Sequence, residues 1–178
     1  MDDPTLKPGP GLSGQAEEPD AAPETARAGT YLTFELAGEQ YGLDILKVRE
    51  IIGLMEITPV PQTQMFVKGL LNLRGRVIPV VDLRLKFGLP EIEHTDRTAI
   101  IVVEITLNTG PAQMGILVDT VSEVMHIRAE DIEPAPEFGA RMRTEYMLGV
   151  AKIKGRVVIL LDIAQVLTGE SLVLAGGA

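Results

Sequence analysis

The chain contains no cysteine, which removes disulfide frameworks, thiolate metal sites and cysteine nucleophiles together. It has only two histidines, His94 and His126. Glu93, His94 and Asp96 have the chemistry of metal ligands, yet no second cluster supplies the rest of a coordination shell, so no metal or other cofactor is expected. Positive charge is in deficit: 16 Lys and Arg face 25 Asp and Glu, a net charge of −9. Nucleic acid is therefore an unsuitable partner, because phosphate binding draws on a surplus of Lys and Arg. No apolar run approaches the ~20 residues of a membrane-spanning helix. Ala99–Val103 and Val157–Leu161 are typical of the longest. Met1-Asp2-Asp3 is acidic and opens no secretory signal, so a cytoplasmic location is expected. No glycine loop is followed by Lys-Ser/Thr, and Ser13, Ser122 and Ser171 lie in no nucleophile elbow. Catalysis is not expected.

What the chain does have is a repeat. Gly69–Leu83 reads GLLNLRGRVIPVVDL, and eighty positions later Gly149–Ile163 reads GVAKIKGRVVILLDI. In both, a Gly-Arg pair (Gly75-Arg76, Gly155-Arg156) splits two apolar runs, and the second run closes on an aspartate (Asp82, Asp162). Upstream, Gly42, Val48 and Glu50 return as Gly115, Val121 and Glu123, and Ile57, Pro59 and Pro61 return as Ile132, Pro134 and Pro136. Three pieces recurring in one order predict two copies of one supersecondary unit.

Residues 1–30 are rich in Pro, Gly, Ala and acids and lack apolar periodicity, so they read as a disordered acidic tail. The folded part is expected over 31–174. Its first barrel lies mainly in 31–88, its second mainly in 97–150, and the segment 151–174 closes the fold. The periodicity is strand-like: Tyr31–Leu36, Tyr41–Ile45, Val48–Ile52 and the hairpin across Arg74-Gly75-Arg76, then Thr98–Thr106, Met114–Val118, Val121–Ile127 and the hairpin Met147–Leu161. Thr63–Lys68 is compatible with one helical turn, and Asp162–Leu167 with a short helix capped by Asp162. About five short strands per copy, with no long helix between them, predict an all-β protein of two small antiparallel barrels. A unit of 55–70 residues buries only about 60% of its surface alone, so the two are expected to share a hydrophobic seam.

Duplicated aspartates suggest a two-carboxylate hydrolase, but Asp82-Leu-Arg and Asp162-Ile-Ala lack the Thr/Ser-Gly of that family, and backbone capping is the expected role. Lys68, Arg74 and Arg76 form a basic cluster that Lys152, Lys154 and Arg156 repeat; solubility at a hairpin tip would account for either. Glu50 and Glu123 are by default solvent-facing. Met65-Phe66 leans toward the core. Phe138, within a polar proline-rich loop, fits a core anchor and a partner contact about equally.

Together, Tyr41-Gly-Leu-Asp-Ile-Leu-Lys-Val-Arg-Glu-Ile51, Lys68-Gly-Leu-Leu-Asn-Leu-Arg-Gly75, Pro79-Val-Val-Asp-Leu83, Gly115-Ile-Leu-Val-Asp119 and Pro134-Ala-Pro-Glu-Phe138 resemble the bacterial chemotaxis adaptor family CheW. The likeness covers about residues 31–168; the Thr106–Gln113 hairpin loop is longer than the family pattern. The resemblance implies two five-stranded SH3-like β-barrels with a shared hydrophobic seam and a short C-terminal helix. It implies an adaptor between the cytoplasmic helical hairpin of a methyl-accepting chemoreceptor and the regulatory domain of the histidine kinase CheA, in receptor arrays at the inner face of the membrane. The positions matching receptor contacts are Val48, Glu50, Lys68, Arg74 and Val77, and those matching the kinase contact are Pro136, Glu137 and Phe138. The resemblance raises the interface reading of Phe138. The rival reading is a coupling domain from a larger two-component chemotaxis protein.

Overall fold

The computed structural model describes residues 28–134 and 144–168. In chain order they form β1 (Gly29–Leu36), β2 (Glu39–Asp44), β3 (Val48–Gly53), β4 (Val67–Leu73), β5 (Arg76–Asp82), α1 (Leu83–Lys86), β6 (Ala99–Leu107), β7 (Gly110–Val118), β8 (Thr120–Ile127), β9 (Ile132–Glu133), β10 (Met147–Ile153), β11 (Arg156–Leu161) and α2 (Ile163–Thr168). The Gly-Arg pairs of the repeat are explained by their turns. Arg74-Gly75 has φ of 54° and 85°, and Lys154-Gly155 has φ of 53° and 78°. Two left-handed residues in a two-residue loop match the right-handed twist of the flanking strands, and glycine takes the second position without strain.

The strands make two sheets, ordered β8-β1-β2-β11-β10-β9 and β3-β6-β7-β5-β4. Apart from β9, the orders are the same once each element is replaced by its repeat counterpart, with β3 matching β8, β6–β7 matching β1–β2, and β4–β5 matching β10–β11. Each copy has therefore given its first hairpin to the other copy's sheet. The division expected at 31–88 and 97–150 follows the sequence copies but not the sheets. The exchange also places one parallel pairing in each sheet, Gly42 opposite Leu160 and Gly115 opposite Val80, within otherwise antiparallel ladders. The bulges repeat too: at Val48/Glu50 in β3 and at Val121/Glu123 in β8, and at Val67/Gly69 and Met147/Gly149.

Exchange puts the two first hairpins back to back, so both of their faces are buried. Ile101, Val103 and Ile105 of β6 join Leu32, Phe34 and Leu36 of β1 in the seam between the sheets. Ile100 and Val102, the intervening β6 residues, enter the interior of the five-stranded unit with Leu71, Ile78 and Val80. On the other side Tyr31, Ala151, Val158 and Leu160 fill the interior of the six-stranded unit. A strand buried on both sides needs a continuous apolar run rather than alternation, which is why Ala99–Val103 reads as it does. Aromatics concentrate in the seam. Phe34 stacks on Tyr41 at 5.7 Å between ring centroids, Tyr41 on Phe87 at 5.9 Å, and Phe87 meets Tyr146 at 6.3 Å. Each such pair contributes about 0.5–1.5 kcal/mol beyond its buried area.

Two local expectations change. Thr63–Lys68 forms no helix: one hydrogen bond, from the Val67 N–H to the Gln64 carbonyl at 2.9 Å, closes a single tight turn, and Val67 and Lys68 already belong to β4. The helix α1, absent from the sequence reading, follows Asp82, whose Oδ1 accepts from the N–H groups of Arg84 at 2.9 Å and Leu85 at 3.4 Å. Asp162 Oδ1 likewise accepts from the Gln165 N–H at 3.2 Å at the start of α2. The repeated aspartates are helix caps, a role that typically contributes about 1 kcal/mol.

Two predictions follow from this packing. A Cβ on Gly115 would stand 2.9 Å from Ile100 Cγ2 and 3.4 Å from Val80 Cγ2. Gly115→Ala should therefore lower unfolding stability by about 1–3 kcal/mol through overpacking; an unchanged denaturation midpoint would mean the interior yields freely. Burial pushes the Asp82 carboxyl above its ordinary range, against the opposing pull of the Leu85 N–H, Lys68, the Arg84 N–H and His94. A raised folded-state pKa adds stability that is full below the unfolded value of about 3.9 and is lost as pH rises through the folded value. Asp82→Asn keeps a capping oxygen and has no charge to bury. Thermal melts of the two proteins should therefore shift in favour of wild type on going from pH 7 to pH 4. A difference that stays constant with pH would refute the assignment.

Candidate partner-binding face

β3 and β4 stand at opposite ends of the five-stranded sheet. They are nonetheless linked, because Arg74, at the β4–β5 turn, places Nη2 2.5 Å from Oε1 of Glu50 on β3. The sheet has curled until its ends meet. Two further contacts complete the closure. The Thr58 and Leu70 backbones exchange hydrogen bonds of 2.8 Å along the outer edge of β4, and Ile52 and Ile57 pack onto the barrel interior. The left-handed turn residue of the repeat is thus also the residue that bridges the barrel. The hydrogen bond from Arg74 holds the Glu50 carboxyl below its ordinary range, and Glu50 in turn raises the Arg74 guanidinium. An ion pair this exposed contributes little to stability. Its consequence is positional: one acid and one base are fixed side by side on the barrel surface.

Apolar groups flank that pair. Asn72 lies opposite Val77, and Leu70 opposite Pro79, on the outward side of the β4–β5 hairpin. Val77 is 62% exposed, and Leu70 is exposed as well. Asn72 is occupied locally, its Oδ1 accepting from the Gly75 N–H at 2.9 Å. An open cleft of about 430 Å³ runs beside β4, lined by Leu54, Met55, Ile57, Pro59, Met65 and Lys68 among others. Met65 is 77% exposed. Its neighbour Phe66 packs against the seam with the Lys86 ammonium 4.4 Å from its ring centre, so the Met65-Phe66 pair divides between surface and core.

Of the residues expected to meet a receptor, Glu50, Arg74 and Val77 share this face. Lys68 lies in the cleft beside it, where Nζ reaches Glu91 Oε2 at 3.0 Å. Val48 is placed differently. It is half-buried and packs against the seam, two residues before Glu50 on β3. Pro136, Glu137 and Phe138 lie outside the described residues. The exposed Leu54, Met55 and Leu70 were not singled out from sequence, and Met65, expected to lean toward the core, is exposed. Met65 and Leu70 adjoin runs that also supply core residues, and only the closed barrel separates the two kinds.

The six-stranded unit carries the same residue types at the matching positions, Glu123 on β8, Lys154 at the β10–β11 turn and an exposed Val157. No ion pair joins Glu123 to Lys154 among the described residues. The salt bridge formed there is Lys152 to Glu133, at 2.7 Å, and Lys152 occupies the position of Asn72. The two barrels have kept one framework and changed its polar surface.

Residues 30–171 match the CheW-like domain family. The chain is 43% identical over 144 residues to "Chemotaxis protein CheW" of Klebsiella aerogenes, covering 81% of this chain and 84% of that one. It is 30% identical over 125 residues to "Protein FrzA" of Myxococcus xanthus, covering 70% of this chain and 75% of that one. The crystal structure of the scaffolding protein TtCheW from Thermoanaerobacter tengcongensis superposes with a TM-score of 0.72 at 34% identity, over 81% of this chain and 95% of that chain. That likeness fits the two closed sheets to a pair of SH3-like barrels. With the duplicated barrel, the repeated turns and the sequence agreement along most of its length, the chain belongs to the CheW family of chemotaxis scaffold proteins.

Proposed function

We propose that the protein is a non-catalytic adaptor that couples the cytoplasmic tips of chemoreceptors to the histidine kinase CheA. The observation that carries the receptor half is the fixed Glu50–Arg74 pair beside exposed Leu70 and Val77. An amphipathic helix laid on such a face would set its apolar side on the valine and leucine, while the adjacent acid and base fix its direction and register. The cleft at Met65 extends the apolar area, and methionine adapts its shape to the side chain it meets. Lys68 contributes a cation at the border. The kinase half rests on the loop Pro136-Glu137-Phe138, whose aromatic stands among polar residues and prolines, and the regulatory domain of CheA is the assigned partner. Placement is at the inner face of the membrane through the receptor; no described helix is long and apolar enough to cross a membrane.

Coupling then requires no chemistry. Each partner grips its own surface, and a receptor whose two signalling states contact the adaptor differently changes the kinase through the shared assembly. The rival, a coupling domain of a larger two-component protein, is less favoured, because the relatives matched over 84% and 95% of their length are named as CheW proteins.

Arg74→Glu should weaken capture of a receptor hairpin roughly tenfold or more, the scale of an interface hot spot, while the melting temperature changes little. Unchanged capture in a pull-down would remove the turn from the interface. For the other surface, Phe138→Ala should reduce kinase association with little loss of thermal stability. A large drop in melting temperature would instead place Phe138 in the core.

A further inference from the structure

The chain passes from one sheet to the other at two equivalent crossovers, and they are built differently. Between β7 and β8 the crossover residue is Asp119. Its Oδ2 accepts from two donors, Nη1 of Arg84 at 2.6 Å and the N–H of Ala37 at 2.8 Å. Its own N–H donates to the Glu35 carbonyl at 3.2 Å. Arg84, on α1 at the end of the five-stranded unit, is only 9% exposed, and its Nε donates to the Pro90 carbonyl at 2.8 Å. Glu35 and Ala37 belong to the β1–β2 hairpin of the six-stranded unit. One carboxylate therefore ties α1 and the segment after it to a turn of the opposite sheet.

At the other crossover, between β2 and β3, the counterpart of Asp119 is Leu46 and the counterpart of Arg84 is Ala164. Neither side chain can form an ion pair. Leu46 is 76% exposed on a single turn of 3-10 helix, Ile45–Lys47. Beside it lies a hollow of about 420 Å³ lined by Tyr31, Asp44, Ile45, Leu46 and Leu148, among others. The duplication has thus kept both crossovers while placing a half-buried charged clasp at one and an open hollow at the other.

We infer that the Arg84–Asp119–Ala37 clasp is a fixed joint that sets the angle between the two barrels, and that the Leu46 crossover is the compliant side about which that angle would otherwise vary. Apolar burial in the seam is non-directional, so the clasp adds a directional constraint that the burial alone does not supply. A charge-assisted hydrogen bond from a buried guanidinium is directional, and it loses its function with small displacements. Arg84 and Asp119 act as positioning residues in an adaptor that must transmit the state of one partner to another, and that consequence rests on the proposed function. The joint itself does not.

The absence of cysteine allows the joint to be measured directly. Arg76→Cys and Arg156→Cys, at equivalent exposed positions on β5 and β11, would carry one spin label on each barrel. Pulsed electron-spin distance measurements on the full chain should give one narrow distribution. Adding Asp119→Asn, which keeps an oxygen for the Ala37 N–H and removes the ion pair, should broaden or split it, and so should Arg84→Gln. Leu46→Ala should leave it unchanged. Folding is checked by circular dichroism and melting. A distribution as narrow as wild type in folded Asp119→Asn and Arg84→Gln would overturn the proposal. So would loss of the fold in both, since a joint is separable from the barrels it joins. Failure of receptor or kinase binding by the wild-type chain would count against the adaptor reading alone and leave these distances unaffected.

Discussion

Burial of two hairpins on both of their faces is the constraint from which the rest of this structure follows. β1–β2 and β6–β7 lie back to back, each lining one barrel interior and the common seam at once. Neither barrel is complete without a hairpin from the other half of the chain. A small β unit that buries only about 60% of its surface alone gains a second apolar interface in this way. The aromatic ladder Phe34–Tyr41–Phe87–Tyr146 runs through that interface and draws on residues from both halves. Stability and the union of the two barrels are therefore a single property.

The same constraint decides where function can reside. The strands of the exchanged hairpins have little free face, so partner contacts fall to the remaining strands, the turns and the connections. In the five-stranded unit the outer strand β3 is held to the β4–β5 turn by Glu50 and Arg74. The pair that closes the barrel thereby becomes a fixed polar mark among exposed Leu70, Val77 and Met65. In the six-stranded unit the corresponding positions carry other polar partners, Lys152 and Glu133 among them. Two surfaces of different character on one repeated framework suit the proposed adaptor role.

Much of this was legible in the residues. The Gly-Arg pairs announced tight turns because a left-handed residue followed by glycine is local chemistry, readable without neighbours. The capping aspartates were legible for the same reason, whereas the run Ala99–Val103 showed only its apolar length until the two sheets placed it between two interiors. The helical turn expected at Thr63–Lys68 failed because tertiary pairing of β4 outweighed weak local preference. The short helix α1 escaped notice because four residues carry too little periodicity to stand out. The division into barrels at 31–88 and 97–150 missed the exchange because a repeat in sequence records descent, not strand partners.

The sequence by itself determined that the chain is a duplicated β protein and that its turns fall at Gly75 and Gly155, and its family resemblance put Glu50, Arg74 and Val77 forward as one candidate surface. These depend on local backbone preference and on residue patterns matched in order. Tertiary structure alone decided that the copies trade hairpins, that Val48 supports the seam, that Met65 and Phe66 part company, and that Asp119 meets Arg84. Each of those is a pairing across many residues. Such pairings are selected by how apolar faces and charges can be buried together, and no single stretch of chain contains that information.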